Sequence, residues 1–402
     1  MSQLLLTKLV IVAGLFWCLS RVRRAWRGPR SCPTVPLLQG LPHFRWEAEL
    51  YPLMFVLLTV IGASPRPGWA VLGWVLTVAI SCLYDYSRLL PWFYQYSFMF
   101  GAMVLCSEEE ALNICRLINV SIYFWSGLLK ANRYFMESAF LALVTPLLKN
   151  LSPGWRPFFK YSAVIVPFWE AGLGLGLLFP ETRWLSILAA VVMHGFILLN
   201  FSSLGRGTHR TIWPWNITMM TTTIVLFSHA GGPLDILVGQ GSPFHWLALG
   251  LFAVLPVLGL WNRIDCIFSH AYMTGRHILG YLHIHQRFYQ KLPAEIQAEC
   301  TDLGRTQAKR YLLDLGSWYV KQLGMNPPQN EKMLVRVARD FRRYGAGFDD
   351  LSLTVTLMPG LFSAHPPQKV YSWVALFGAE KAADGGVRNR ARKLKASDLR
   401  RS

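Results

Sequence analysis

Nine apolar stretches crowd the first 261 residues, at 4–20, 51–63, 69–84, 92–106, 111–129, 160–179, 184–201, 213–230 and 244–261. A helix that crosses a hydrocarbon core of ~30 Å needs about 20 mainly apolar residues, because no water is there to satisfy its backbone. The shorter stretches, such as 51–63 and 92–106, cross only if they are tilted or extend into their flanks. Hydrophobic residues make up 53 % of the 402 and charged ones only 15 %, which excludes a disordered chain and an ordinary water-soluble one. The expected architecture is an all-α polytopic membrane bundle of eight or nine transmembrane helices, followed by a small basic α+β tail.

Charge sets the expected orientation. The 40 Lys and Arg against 22 Asp and Glu leave a formal charge of +18. That balance suits nucleic acid or anionic lipid, and hydropathy selects the membrane. With 21–50 inside, the inside loops hold 14 Lys and Arg and the outside loops 2, while Glu108, Glu109, Glu110 and Asp235 fall outside. The N-terminus is then outside and the C-terminus cytoplasmic. Arg21, Arg23, Arg24 and Arg27 follow the first stretch with no small-residue cleavage site, so it reads as an anchor, not a removed leader. Seven scattered cysteines without a CxxC give neither a disulfide framework nor a zinc site.

Four regions follow: an anchor and basic loop at 1–50, a helical membrane domain at 51–262, a small cytosolic α+β region at 263–380, and a basic disordered tail at 381–402. Within the third, 294–323 reads as one amphipathic helix stopped by Gly324. A second helix spans 331–344 between Asn330 and Gly345, and Leu351, Leu353, Val355 and Leu357 alternate as a single strand.

Ionisable groups inside apolar spans need a partner or a role. Glu170 and His194 lie in consecutive spans, eleven residues before and thirteen after a turn near Glu181. At ~1.5 Å per residue they reach nearly one depth, where acid and imidazole can face each other. The pair makes a polar pocket or proton relay, or else a protonated acid beside a core histidine. Lys130 ends the 111–129 span, either as an anchor reaching the interface or as a desolvated base. Arg116 lies deeper on that span and has Glu108–Glu110 as candidate partners, or holds a substrate's polar group. Asp85 and Arg88 read as a local ion pair, and Arg210 and Asn216 flank Trp213-Pro214-Trp215 at the interface. His283 and His285 are two apart and share no helix face, so no metal site is expected there. The basic tail carries no nucleic-acid motif.

Several of these segments together resemble one family. Asp85, Ser87, Arg88, Pro91-Trp92 and Tyr94-Gln95-Tyr96 are similar to the aspartate–x–serine–arginine…proline–tryptophan stretch of bacterial multipass proteins with the horizontally transferred transmembrane domain, relatives of vitamin K-dependent gamma-carboxylase. Tyr123, Gly127 and Lys130 resemble its tyrosine…glycine-x-x-lysine helix end. Glu170, Pro180, Arg183 and His194 resemble its hairpin, and Trp213-Pro214-Trp215-Asn216 is similar too. The tail resembles one branch through 315–327 and 351–359, so the likeness covers most of 50–360.

In the carboxylase a lysine deprotonates reduced vitamin K, oxygen adds, and the resulting base takes a proton from peptidyl glutamate. By that resemblance Lys130 is the base and a reduced quinone the candidate cofactor. Nothing here resembles the large lumenal region that grips the carboxylase's protein substrate, so peptide carboxylation is not implied. The scaffold also resembles DoxX-like membrane proteins, which suggests a quinone or lipid pocket. Two readings stand. In one, Lys130, Glu170 and His194 act on a quinone-like or lipid substrate held by Arg116, Tyr123, Trp169, Asp85, Arg88, Arg210 and Asn216, with Trp125 lining the cavity. In the other the chain is a non-catalytic scaffold or transporter subunit whose polar residues fix helix packing.

Overall fold

The computed structural model describes residues 2–38, 45–149, 152, 154–202, 211–230, 236, 241–304, 310–327, 329–347 and 349–377. The helices run α1 (Gln3–Arg21), α2 (Leu50–Ala63), α3 (Gly68–Tyr84), α4 (Pro91–Leu105), α5 (Glu108–Lys130), α6 (Phe140–Leu148), α7 (Trp155–Gly176), α8 (Pro180–Asn200), α9 (Ile212–Ser228) and α10 (Pro243–Ala248). The last continues through π and 3-10 turns to Trp261. Every apolar stretch is thus helical. Five of these runs are long and apolar enough to cross a membrane: Gln3–Arg21, Trp46–Ala63, Glu108–Lys130, Pro180–Asn200 and Pro243–Trp261.

One helix is the axis of the bundle. In α5, 83 % of the best apolar window is buried inside the protein, against 28–44 % in the other four. That burial explains why the most polar span tolerates Arg116, Asn119, Ser121, Ser126 and Lys130: all five are buried among neighbouring helices. Its start is sharply defined. Ser107 Oγ accepts from the Glu110 amide at 3.3 Å, and three glutamates stand in the first turn beside the positive end of the helix dipole. Around it, α7 packs most extensively on α5, α1 and α8 pack on α9, and α2 on α3.

The 130–160 segment is not a simple loop. Phe135–Ala139 forms a π turn leading into α6, and Phe135, Phe140 and Val144 bury against Phe159 and Ala163 of α7 as a separate cluster. This nine-residue helix has too few residues to show as a span, which is why hydropathy scanning passes over it.

The C-terminal region corrects two further expectations. The single helix over 294–323 is instead a short helix, two strands and a second helix. The lone strand at 351–357 belongs to a five-stranded antiparallel sheet. In chain order the elements are β1 (Leu279–His285), α11 (Gln286–Tyr289), α12 (Ala294–Gln297), β2 (Cys300–Asp302), β3 (Arg310–Asp314), α13 (Leu315–Leu323), α14 (Glu331–Asp340), β4 (Leu351–Thr356), β5 (Gln368–Tyr371) and α15 (Trp373–Phe377). The sheet order is β2-β3-β1-β4-β5. Asp314 explains the broken helix, because its carboxylate accepts from the Gly316 and Ser317 amides and starts α13 there. Leu282, Ile284, Leu313, Leu353 and Val355 cover one sheet face, and Leu315, Trp318, Leu334 and Val337 of α13 and α14 join the same core. Asn330 caps α14, and Gly345 ends the following turn at φ 77°, as expected. The basic tail at 381–402 lies outside the described residues.

The basic loop after α1 is clamped to this sheet unit. Trp318 Nε1–H donates to Ser31 Oγ (3.0 Å), Tyr319 O–H to the Pro33 carbonyl (2.9 Å), and Arg336 to the Pro36 carbonyl (2.8 Å).

Candidate functional site

The site begins with two glycines. A Cβ on Gly127 of α5 would lie 2.3 Å from the Ala171 amide nitrogen of α7, and one on Gly174 would lie 2.9 Å from the Val120 carbonyl. Only hydrogens fit at both points, so the two backbones touch. This close approach brings Lys130 onto Glu170. Their Nζ–Oε2 distance is 2.7 Å, Nζ–Oε1 is 3.0 Å, and the same ammonium donates to Ser126 Oγ at 2.7 Å. Both residues are under 10 % exposed. Lys130 therefore turns inward and is not an interfacial anchor, while Glu170 has a cation for partner instead of helix backbone.

His194 stands in a second polar chain beside this pair. Asn216 Nδ2 donates to the Ile212 carbonyl (2.8 Å), so its Oδ1 faces His194 Nδ1 at 2.8 Å and makes that nitrogen the donor. Nε2 meets Tyr123 O–H at 2.8 Å, and the same hydroxyl meets Thr223 Oγ1 at 2.8 Å. Thr223 reaches the Met219 carbonyl (2.8 Å) and accepts from Asn119 Nδ2 (3.2 Å). With Nδ1 fixed, two proton arrangements satisfy the chain. Neutral imidazole accepts from Tyr123, which accepts from Thr223. Imidazolium donates to Tyr123, which donates to Thr223, which donates to Met219. The two arrangements differ by one proton, so the imidazole takes up or releases a proton while the Tyr123 and Thr223 hydroxyls reorient.

Glu170 and His194 do not bond each other directly, contrary to the facing arrangement that their depths suggested. Glu170 lies within electrostatic reach of both Tyr123 and His194. Tyr123, Ser126 and Lys130 are spaced i, i+3 and i+7, so one face of α5 carries the tyrosine of the relay and the lysine of the ion pair. Among the described residues, two buried polar atoms near Tyr123 have no partner: Asn119 Oδ1, and the hydroxyl of Tyr96 on α4.

Other expected site residues lie apart. Arg116 donates to the Leu226 carbonyl (2.9 Å), Asn113 Oδ1 (2.9 Å) and Gln3 Oε1 (3.1 Å), tying α5 to α9 and α1, with Glu109 within electrostatic reach. Trp169 is 52 % exposed on the outer face of α7, so it lines no cavity with this trio. It neighbours Glu170 in sequence, and a helix step of ~100° turns adjacent side chains apart. Trp125 is buried and donates to the Ala253 carbonyl. Asp85 and Arg88 form a separate knot. Asp85 accepts from Arg30 (2.8 Å) and Ser87 (2.8 Å), while Arg88 pairs with Glu47, donates to the Ala25 carbonyl and sits over Trp26. Their own separation is 3.9 Å, so the local pair is the weakest link of a network holding the basic loop. Arg210 lies outside the described residues.

Sequence reasoning missed His277. This half-buried residue follows the membrane helices, and burial together with the Lys130 ammonium pushes its imidazole down to about 4. Nothing in its local sequence marks it. His283 bonds Thr354 Oγ1 and His285 caps α11. Among the described residues no group of three or more His, Cys, Asp or Glu is placed to hold a metal ion. Compared with family models, with curated proteins and with solved structures, the chain matches none.

Proposed function

We propose that this is a polytopic membrane protein of eight or nine spans, with its C-terminal sheet unit cytoplasmic, that performs proton-transfer chemistry on a quinone-like or lipid substrate. The observation that carries this reading is the buried Lys130–Glu170 pair set beside the His194–Tyr123–Thr223 relay on one helix face. The resemblance to the horizontally transferred transmembrane domain and its lysine base points the same way.

The chemistry follows from low polarity. A proton passed from Lys130 to Glu170 across their 2.7 Å contact leaves a neutral amine beside a neutral acid. The amine is then a base without a net charge being created. It can take a proton from a weakly acidic hydroxyl, and the Tyr123–His194 chain can carry or orient another. Asn119 Oδ1 and Tyr96 O–H are buried without a hydrogen-bond partner among the described residues, and would bond a polar group of a reduced quinone at the deeper part of α5, about 16 Å along the helix from Lys130. Such a cofactor, when bound, supplies the acidic hydroxyl and the electrons for oxygen.

The test is Lys130→Ala, Glu170→Gln and His194→Ala in purified protein, read by reduced-quinone oxidation and oxygen uptake, with a lipid extract analysed for isoprenoid quinone. Loss of turnover in all three, and a co-purifying quinone, is the expected result. Wild-type turnover in all three variants rejects the catalytic reading. The second reading, a non-catalytic scaffold, draws on the saturation of Lys130, whose donors are all engaged by Glu170 and Ser126.

A further inference from the structure

At the C-terminal end of α5, just past Lys130, a groove of about 730 Å3 opens on the protein surface. Asn132 and Arg133 form one wall, Lys160, Tyr161 and Val164 of α7 the other, and Phe362 the rim. Its chemistry is two-sided. Tyr161 is 72 % exposed and Phe362 90 %, and the exposed apolar surface continues up α7 through Val164, Ile165 and Phe168. Contiguous apolar surface of this kind marks a contact with lipid or a partner. Charge then selects between them. Arg133 is held by Glu137 at 2.7 Å, but Lys160 is exposed and has no ion-pair or hydrogen-bond partner among the described residues. The rim is tied in place, because the Arg133 amide donates to the Leu361 carbonyl at 2.9 Å.

An occupant must therefore join an anion to hydrocarbon, with the anion at Lys160 and the chain along α7. We propose that this groove binds one anionic phospholipid, with its phosphate against Lys160 and Arg133 and its acyl chains on Tyr161, Val164 and Phe362. In the orientation proposed above, the groove opens at the cytoplasmic leaflet, where anionic headgroups are concentrated. The inference needs that membrane placement but no chemistry at Lys130.

The experiment uses the full chain in nanodiscs of phosphatidylcholine mixed with phosphatidylglycerol, and counts retained lipid by native mass spectrometry after mild detergent extraction. One phosphatidylglycerol should be retained in preference to phosphatidylcholine. Lys160→Gln should weaken that preference about fivefold and Lys160→Gln with Arg133→Gln about 25-fold, at about fivefold per basic residue. Lys160→Arg should keep it. Lys332→Gln, an exposed change in the sheet unit, should leave it untouched. Lys130→Ala should also retain the lipid, which separates this site from the catalytic reading. An unchanged preference in the double variant overturns the proposal, as does an equal loss in Lys332→Gln, which would mean bulk attraction. Protection against thermal unfolding by inorganic phosphate equal to that by short-chain phosphatidylglycerol would mean a free-anion site and also overturn it.

Discussion

Lys130 and Glu170 are worth more to each other than to the fold. Removing one partner strands the other charge in an apolar site, at a typical cost of 3–5 kcal/mol, whereas an apolar pair of similar volume is often neutral. Lys130→Met should therefore destabilise the protein by about 3–5 kcal/mol in denaturant unfolding. Adding Glu170→Leu should recover most of that loss while turnover stays absent. A double variant no more stable than the single one would show that the pair stabilises the bundle directly. His277 and His270 supply a second residue-scale test. Burial pushes them down to about 4 and about 3. Unfolded histidine titrates near ~6.5. The unfolded chain thus binds more protons below ~6.5, so their stabilising contribution, complete above that pH, falls as pH drops toward 4. Melting temperature should decline over that window, and His277→Gln should flatten part of the decline. An identical acid profile in His277→Gln would count against its buried neutral state.

Helix contact decides what those residues can do. Gly127→Ala places a methyl against the α7 backbone, which cannot yield as a side chain can, so the helices must part. Overpacking of this kind costs about 1–3 kcal/mol, and the shift should also weaken the Lys130–Glu170 pair. The check is thermal melting together with quinone turnover: a wild-type melt and wild-type activity would refute the close approach. In the sheet unit, Asp314→Ala removes the cap of α13 and should cost about 1 kcal/mol in unfolding experiments. Element reading from sequence worked where periodicity was unbroken and failed where it was interrupted. The 294–323 stretch kept a helical pattern on paper, but Asp314 restarts the chain and Gly304, at φ 82°, turns it back into a strand pair. Of the sheet's strands only β4 was read from the sequence; the central strand β1 at 279–285 was not, and which strands pair was hidden because pairing is not local.

For the whole molecule, charge distribution and helix burial make one prediction about placement. The exposed positions Glu108 and Glu109 should be reached by a membrane-impermeant reagent from outside, and Gln322 only after permeabilisation, as introduced cysteines in a cysteine-free background would report. The reverse pattern would overturn the orientation. The helices themselves and their polar outliers were legible from composition and spacing, because backbone desolvation forces apolar runs of set length and makes each buried charge conspicuous. Which outliers meet was not legible. Spacing placed Glu170 and His194 at similar depth, yet depth along a hairpin says nothing about rotation, and rotation gave the acid to Lys130 and the imidazole to Tyr123 and Asn216. It likewise turned Trp169 outward and tied Arg116 to the Leu226 carbonyl and the Asn113 and Gln3 side chains. The amino-acid order alone determined a helical, apolar, basic-looped chain with stray ionisable groups. Only tertiary packing, through the contact of Gly127 and Gly174 with the facing backbones, decided that an amine and an acid would stand 2.7 Å apart in a dry interior. Hydrophobic patterning acts on local segments, whereas that pairing depends on steric fit between helices separated along the chain.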